Sequence, residues 1–317
     1  MNILANDGIS PSGLAALKEA GHTVYTDFIE AADLESFINS NSIDGILVRS
    51  ATKVRKELMD GCPTLKFVGR GGVGMDNIDV EYGIQKGLAV FNTPSASSQS
   101  VAELVMGHLF SLSRSLHHSN RAMPSEGADS FKVLKKKYSK GSELRGKTLG
   151  IIGFGRIGRS LASYALGCGM KVIAHDRFAE NGEVEVNVGD VSISVDCPIL
   201  PMQEVLEQSD AVSLHIPAQE DGKPVIGASE LATMKKGSIL LNAARGGVVD
   251  EDALMSALDS GQISGAALDV FVGEPAPRGD VLSHPAISLT PHTGAATAEA
   301  QDRIGLELAS QIAELIK

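Results

Sequence analysis

The sequence predicts an α/β protein of two doubly wound parallel-sheet domains. Three observations carry this. The 317 residues exceed the usual size of a single domain and suffice for two cores. Short apolar runs of β type alternate with helical patterns from end to end, the order that parallel strands with crossover helices require. One helical stretch too long for a simple crossover interrupts the series, which then restarts at Lys147.

The elements read in order as follows. NILA pairs with SGLAALKEAG, DGILVRS with VRKELMDG, and LKFVGRG and LAVFNTP complete a first group of strands. SVAELVMGHLFSLSRSLHHSNRAM, residues 100 to 123, reads as one connecting helix. TLGIIG, KVIAHD, AVSLHIP, SILLNAA, GAALDVF and AISLTP form a second group. Residues 180 to 201 fit neither pattern and read as a local insertion with short strands of its own. The last segment carries Ile304, Leu308, Ile312 and Leu315 at helical spacing. A discontinuous first domain, 1–99 plus 293–317, is therefore expected to enclose a second, 100–292, with a cleft between them.

Composition narrows the function. Hydrophobic residues at 43% and charged residues at 21% fit a globular protein. A net charge of −11 argues against a non-specific nucleic-acid binder, which needs a basic surface. No apolar run reaches the roughly 18 residues of a membrane helix, so no membrane partner is expected. The start, MNILANDGIS, lacks a basic leader and reads as a first strand, which makes a cytoplasmic location the expectation. Cys62, Cys168 and Cys197 stand far apart with no CxxC spacing, so they read as buried thiols, and no metal site is expected. FKVLKKKYSK, residues 131 to 140, holds five lysines and no acid. It is either a solvated helix end or loop, or an anion site.

TLGIIGFGRIGRSLASYALGCGMKVIAHD contains the strongest local motif. Gly153, Gly155 and Gly158 follow a strand, Arg156 and Ile157 open a helix, and Asp176 closes the next strand 18 residues after Gly158. The first glycine permits a tight turn, the second lets backbone approach a pyrophosphate, and the third allows close helix packing. Asp176 suits both ribose hydroxyls and repels a 2′-phosphate, so NAD is favoured over NADP, although Arg177 beside it could tolerate that phosphate.

A dinucleotide site implies hydride transfer, which needs a proton carrier and a group that polarises the reacting oxygen. Of eight histidines, His117 and His118 read as solvent-facing, and His22 and His284 as turn residues. His292 differs because it follows a strand ending in TP, where a parallel sheet places ligand-facing loops, and its neighbours are small. Arg245 follows another strand and could grip a carboxylate through paired N–H donors. Glu274 follows a third, and contact with His292 would fix the ring and stabilise its cationic form. Each residue alone could equally be a surface ion pair or a cap.

Arg245, Glu274 and His292, 29 and 18 residues apart, resemble the Arg, Glu and His of the D-isomer-specific 2-hydroxyacid dehydrogenases. The resemblance also runs through VRSAT (48–52), VGRGGVGMDNID (68–79), NTPSASSQSVAEL (92–104), ELRGKTLGIIGFGRIG (143–158), NAARGGVVDEDAL (242–254), ALDVFVGEP (267–275) and TPHTGAAT (290–297). It implies a flavodoxin-like substrate domain and a Rossmann NAD-binding domain, a homodimer, and a small-molecule substrate. His292 would then move the proton of the 2-hydroxyl, Glu274 would tune it, and Arg245 would hold the carboxylate, with backbone donors from Gly72, Val73 and Gly74. Asp269 would face the nicotinamide carboxamide, and Ile216, Ala243, Ala244 and Gly294 would line the cofactor's path.

Within the family the resemblance is greatest to enzymes of 3-phospho-D-glycerate, which implies that Arg49, Arg70, Lys135, Lys136 and Lys137 meet a phosphate. Ser95, Ser97 and Gly71 depart from the usual pattern, which bears on substrate fit. No regulatory domain is expected after Lys317. A hydroxypyruvate or glyoxylate reductase is the nearest rival; a formate dehydrogenase would carry glutamine in place of Glu274. A dinucleotide-sensing interaction protein on the same scaffold is the rival of another class.

Overall fold

A computed structural model describes residues 1–179 and 181–315, so the first residue of the 180–201 segment and the last two of the chain lie outside it. The chain forms two compact units, Met1–Ser98 with Ala295–Lys317, and Gln99–Gly294.

The first unit alternates β1 (Asn2–Ala5), α1 (Pro11–Glu19), β2 (Thr23–Tyr25), α2 (Ala31–Ser40), β3 (Gly45–Val48), α3 (Lys56–Gly61), β4 (Phe67–Arg70), α4 (Val80–Gln85) and β5 (Ala89–Asn92). The strands form one parallel sheet in the order β2-β1-β3-β4-β5, the flavodoxin-like order. Such strands are covered on both faces, which is why β3, GILV, is buried at every residue.

Where one connecting helix is expected, the second unit begins with two, α5 (Ser98–Arg114) and α6 (Leu116–Lys137). Ser115 between them is left-handed, at φ 53° and ψ 34°, and a residue in that conformation cannot continue a right-handed helix. The unit continues with β6 (Thr148–Ile152), α7 (Arg156–Gly167), β7 (Lys171–His175), β8 (Glu183–Val188), β9 (Val191–Asp196), α8 (Met202–Gln208), β10 (Ala211–Leu214), α9 (Ala228–Thr233), β11 (Ser238–Asn242), α10 (Glu251–Asp259), β12 (Ile263–Leu268), α11 (Gly279–Ser283) and β13 (Ile287–Leu289). Six strands form a parallel sheet in the order β13-β12-β11-β10-β6-β7. The chain runs from β6 outward to β7 and returns to β10 on the other side, so the order reverses at β6, where α/β sheets bind their ligands. The segment read as an insertion with short strands of its own contains the antiparallel hairpin β8-β9, whose Val184 and Val186 join the core around β6 and α7.

The chain then returns to the first unit as α12 (Ala298–Leu315). Its predicted stripe is real for Ile304, Leu308 and Ile312, which pack with Ile3, Ala5, Leu47 and Phe67, whereas Leu315 is 48% exposed. Among the described residues no helix is long and apolar enough to cross a membrane, and no group of three or more His, Cys, Asp or Glu side chains could hold a metal. Cys62 and Cys197 are buried, and burial pushes the Cys62 thiol up to about 11.

Leu308 is 4% exposed on α12, so Leu308→Ala should cost about 2–5 kcal/mol of stability, from the lost burial of the removed groups and the cavity they leave. Urea unfolding measures this, and a loss under about 1 kcal/mol would mean that α12 is not part of the cooperative core.

Candidate active site

The GxGxxG turn joins β6 to α7. Gly153 has φ +96°, and a Cβ there would stand 2.4 Å from the His215 carbonyl oxygen; a Cβ on Gly158 would stand 2.3 Å from the Gly153 oxygen. Both positions therefore require glycine. Nothing lies within 4 Å of a Cβ built on Gly155, the residue expected to admit a pyrophosphate. The first turn of α7 places the backbone N–H groups of Arg156, Ile157 and Gly158 beyond the reach of intrahelical partners. Ile216 flanks the turn, its Cγ2 2.8 Å from the Gly153 Cβ position.

Asp176 ends β7 and is held from both sides. Its Oδ2 accepts from Phe154 N at 2.7 Å, and its Oδ1 from Phe178 N at 2.7 Å and Ala179 N at 3.0 Å. Burial alone would raise its pKa, but these backbone donors outweigh it and hold the carboxyl below the usual range. The group is thus ionised and keeps a lone pair on Oδ2 for a sugar hydroxyl. These features fit a dinucleotide.

The expected proton carrier and its partner are together. His292 Nδ1 lies 2.8 Å from Glu274 Oε2, and both side chains are open enough for a ligand to reach, at 44% and 35% exposure. A carboxylate only accepts, so Nδ1 carries the proton and Nε2 of the neutral ring holds the free lone pair. Glu274 is itself fixed, its Oε1 accepting from Phe271 N at 2.8 Å. Beside the pair lies a cavity of about 440 Å³ whose walls include Phe271, Pro277, Leu282 and Leu289 and no lysine or arginine.

His292 sits in the left-handed region at φ 53°, which costs a non-glycine residue about 1–2 kcal/mol. Asp269, just past β12, holds that bend. Its Oδ1 accepts from Thr290 Oγ1 at 2.6 Å and Thr293 N at 2.8 Å, and its Oδ2 from Gly294 N at 2.9 Å. This 2%-exposed carboxylate and the Gly294 amide, the two groups expected to face the cofactor, are bonded to each other, as a buried carboxylate needs donors close by.

Arg245 follows β11 at the same edge of the sheet. Its Nη1 donates to the Ala244 carbonyl at 2.7 Å. Buried Asn242 shapes that loop, accepting from Ala244 N at 3.1 Å and donating to the Arg245 carbonyl at 3.0 Å. Ala243 and Ala244 are half-buried within it. A Cβ on Gly246 would lie 2.0 Å from the Phe271 oxygen, so this glycine lets the Arg245 loop pass against the one that carries Glu274.

In the first unit, Arg49 and Arg70 are half-buried at the ends of β3 and β4. Gly72 does not offer the donor expected of it, since its N–H is taken by Thr93 Oγ1 at 2.8 Å in a buried bond. Lys135, Lys136 and Lys137 are all exposed on the last turn of α6, where their charge meets the carbonyl end of the helix. His117 and His118, expected to face solvent, are half-buried and stacked with ring centroids 3.9 Å apart.

Sequence reasoning missed three contributors. Glu251, buried at the start of α10, accepts from Val272 N at 2.9 Å and so steadies the Glu274 loop. Thr290 and His108 join the Asp269 network. The acidic residue after the Asp250 cap and the threonine of TPH were visible signals; nothing local marked His108.

With this geometry in view, the comparisons decide the family. The model for the NAD binding domain of the D-isomer specific 2-hydroxyacid dehydrogenases matches residues 106–294. The chain belongs to that family. It is 41% identical to the hydroxypyruvate reductase of Thermotoga maritima over 91% of this chain and 89% of that protein. It is 38% identical to the D-3-phosphoglycerate dehydrogenase of Methanocaldococcus jannaschii over 100% of this chain, which spans only 58% of that protein. Among solved structures, a glyoxylate reductase from Paecilomyes thermophila superposes with a TM-score of 0.82 at 28% identity, covering 100% of this chain and 95% of that one. Members of the family are NAD-dependent oxidoreductases, and the second unit is this chain's NAD-binding domain.

His215, beside the glycine turn, yields a pH prediction. Its Nε2 meets Ser213 Oγ at 2.9 Å, its buried Nδ1 has no hydrogen-bond partner, and burial pushes the ring from 6.5 down to about 4. As pH falls through that window the unfolded chain binds a proton that the folded ring refuses, so this contribution to stability is complete above 6.5 and is lost progressively toward 4. His215→Gln should show a shallower loss of urea midpoint between pH about 7 and about 5 than the parent; parallel losses would contradict it.

Proposed function

We propose that the chain oxidises 3-phospho-D-glycerate to 3-phosphohydroxypyruvate, and catalyses the reverse, with NAD. The observation that carries the reading is the 2.8 Å contact between His292 and Glu274 at the ligand-facing edge of the NAD-binding domain. In oxidation Nε2 of His292 takes the 2-hydroxyl proton, and Glu274 steadies the imidazolium through Nδ1. In reduction the same ring returns the proton to the carbonyl oxygen. Bound NAD supplies the acceptor for the C2 hydrogen and its electron pair. Arg245 holds the substrate carboxylate, with Val73 and Gly74 as backbone donors.

Gly153, Gly155 and the first turn of α7 take the pyrophosphate, and Asp176 the ribose hydroxyls. Units 1–99 with 293–317 and 100–292 act as substrate and cofactor domains. Arg49, Arg70 and the α6 lysines meet the substrate phosphate, and relatives named D-3-phosphoglycerate dehydrogenase support this choice. Leu116, Phe131 and Val133, exposed on α6 at 51%, 57% and 67%, suit a homodimer, whose place we take to be the cytoplasm.

A second reading, reduction of hydroxypyruvate or glyoxylate, is favoured by the Thermotoga maritima relative and by the cavity beside His292, whose lining lacks any cation for a phosphate. Turnover on any 2-hydroxy acid separates both readings from a dinucleotide-sensing interaction protein.

An NADH-linked panel of phosphohydroxypyruvate, hydroxypyruvate, glyoxylate, pyruvate and 2-oxoglutarate should give the highest kcat/KM with the first. Replacing Lys135, Lys136 and Lys137 together by Gln should raise KM for phosphohydroxypyruvate by about tenfold or more and change that for hydroxypyruvate by less than about twofold. Equal effects on the two would end the phosphate assignment. His292→Ala should cut kcat by about 10²–10⁴ with NAD binding retained; an undiminished rate would end the proton-carrier assignment.

A further inference from the structure

We propose that His108 is a positioning residue for His292, acting through Thr290 and Asp269. The proposal rests on the reading of His292 as the proton carrier. His108 lies on α5 in register with Val101, Val105 and Leu112, the apolar stripe that faces the domain core, and is 7% exposed. A polar ring in that stripe needs partners. It has two, both from the strand and loop that lead to His292: Nδ1 lies 2.9 Å from Ser288 Oγ, and Nε2 lies 3.0 Å from Thr290 Oγ1.

Proton accounting gives this contact a direction. The single hydroxyl proton of Thr290 is donated to Asp269 Oδ1, so toward His108 the same oxygen only accepts. Nε2 of His108 must then be the protonated nitrogen. Burial lowers the ring's pKa, with the charge of Asp269 acting in the opposite sense, and the neutral ring leaves Nδ1 to accept from Ser288. The result is a one-way chain from Ser288 through His108 and Thr290 to Asp269, in which each bond polarises the next. At its end Asp269 holds the amides of Thr293 and Gly294, the two residues that follow His292 and its left-handed bend.

His108 therefore does more than fill space. It fixes the Thr290 hydroxyl toward Asp269, and through that carboxylate it keeps Nδ1 of His292 at hydrogen-bond distance from Glu274. A side chain of similar bulk without a donor would fill the same volume and lose this hold. Glutamine, whose terminal amide N–H reaches about as far as Nε2 of an imidazole, would retain it.

The test compares the full-length parent with His108→Leu, His108→Gln and Thr290→Val. His108→Leu should lower kcat about tenfold, the equivalent of one lost hydrogen bond, with KM for NAD changed by less than about twofold, and His108→Gln should recover most of the rate. Amide exchange over 290–297 should speed up about tenfold in His108→Leu and Thr290→Val but not in His108→Gln, whether or not any hydroxy acid is turned over. If the parent turns over none of the acids in the panel, the dehydrogenase reading fails while exchange still decides the positioning claim. Parent-like exchange and rate in His108→Leu would overturn the proposal, as would equal impairment in the Leu and Gln variants, which would mark a packing role. Should His108→Leu fail to fold, Thr290→Val with parent-like exchange would overturn it.

Discussion

The geometry of the site depends on one buried carboxylate, Asp269, and on the source of its donors. All three come from residues 290–294, the stretch that contains His292. A charge taken out of water is tolerated only when its oxygens are fully bonded, so burying Asp269 and bending this loop are one event. The bend gives His292 a backbone conformation that its side chain disfavours. It also aims the ring at Glu274, which two further backbone contacts hold in place, Phe271 N to Glu274 and Val272 N to Glu251.

Parallel topology explains why such distant residues gather. Arg245, Asp269 and His292 each lie within a few residues of the carboxyl end of a strand, and β11, β12 and β13 are neighbours in the sheet. Every strand delivers its following loop to the same edge. The glycine turn after β6 and Asp176 after β7 stand on that edge as well, at the point where strand order reverses. The backbone donors that cap Asp176 also keep it ionised.

Charge around the site is distributed unevenly. The cavity beside His292 has apolar walls, whereas Arg49 follows β3, Arg70 ends β4, and Lys135, Lys136 and Lys137 end α6.

Much was legible in the sequence because the relevant signals are local. Alternating apolar runs specified parallel strands and crossovers, the glycine spacing marked a strand-to-helix turn that requires glycine, and a histidine after TP marked the loop where His292 meets Glu274. Tertiary structure decided the rest. The break at Ser115 turns on a single backbone conformation that serine does not announce. The Gly72 amide is lost to Thr93, 21 residues away. His108 acquires its place only when α5 packs against β13, bringing together side chains 180 and 182 residues apart. Period and motif describe how a segment meets a generic core or ligand, whereas a hydrogen bond between remote residues exists only once the fold has brought its donor and acceptor within 3 Å.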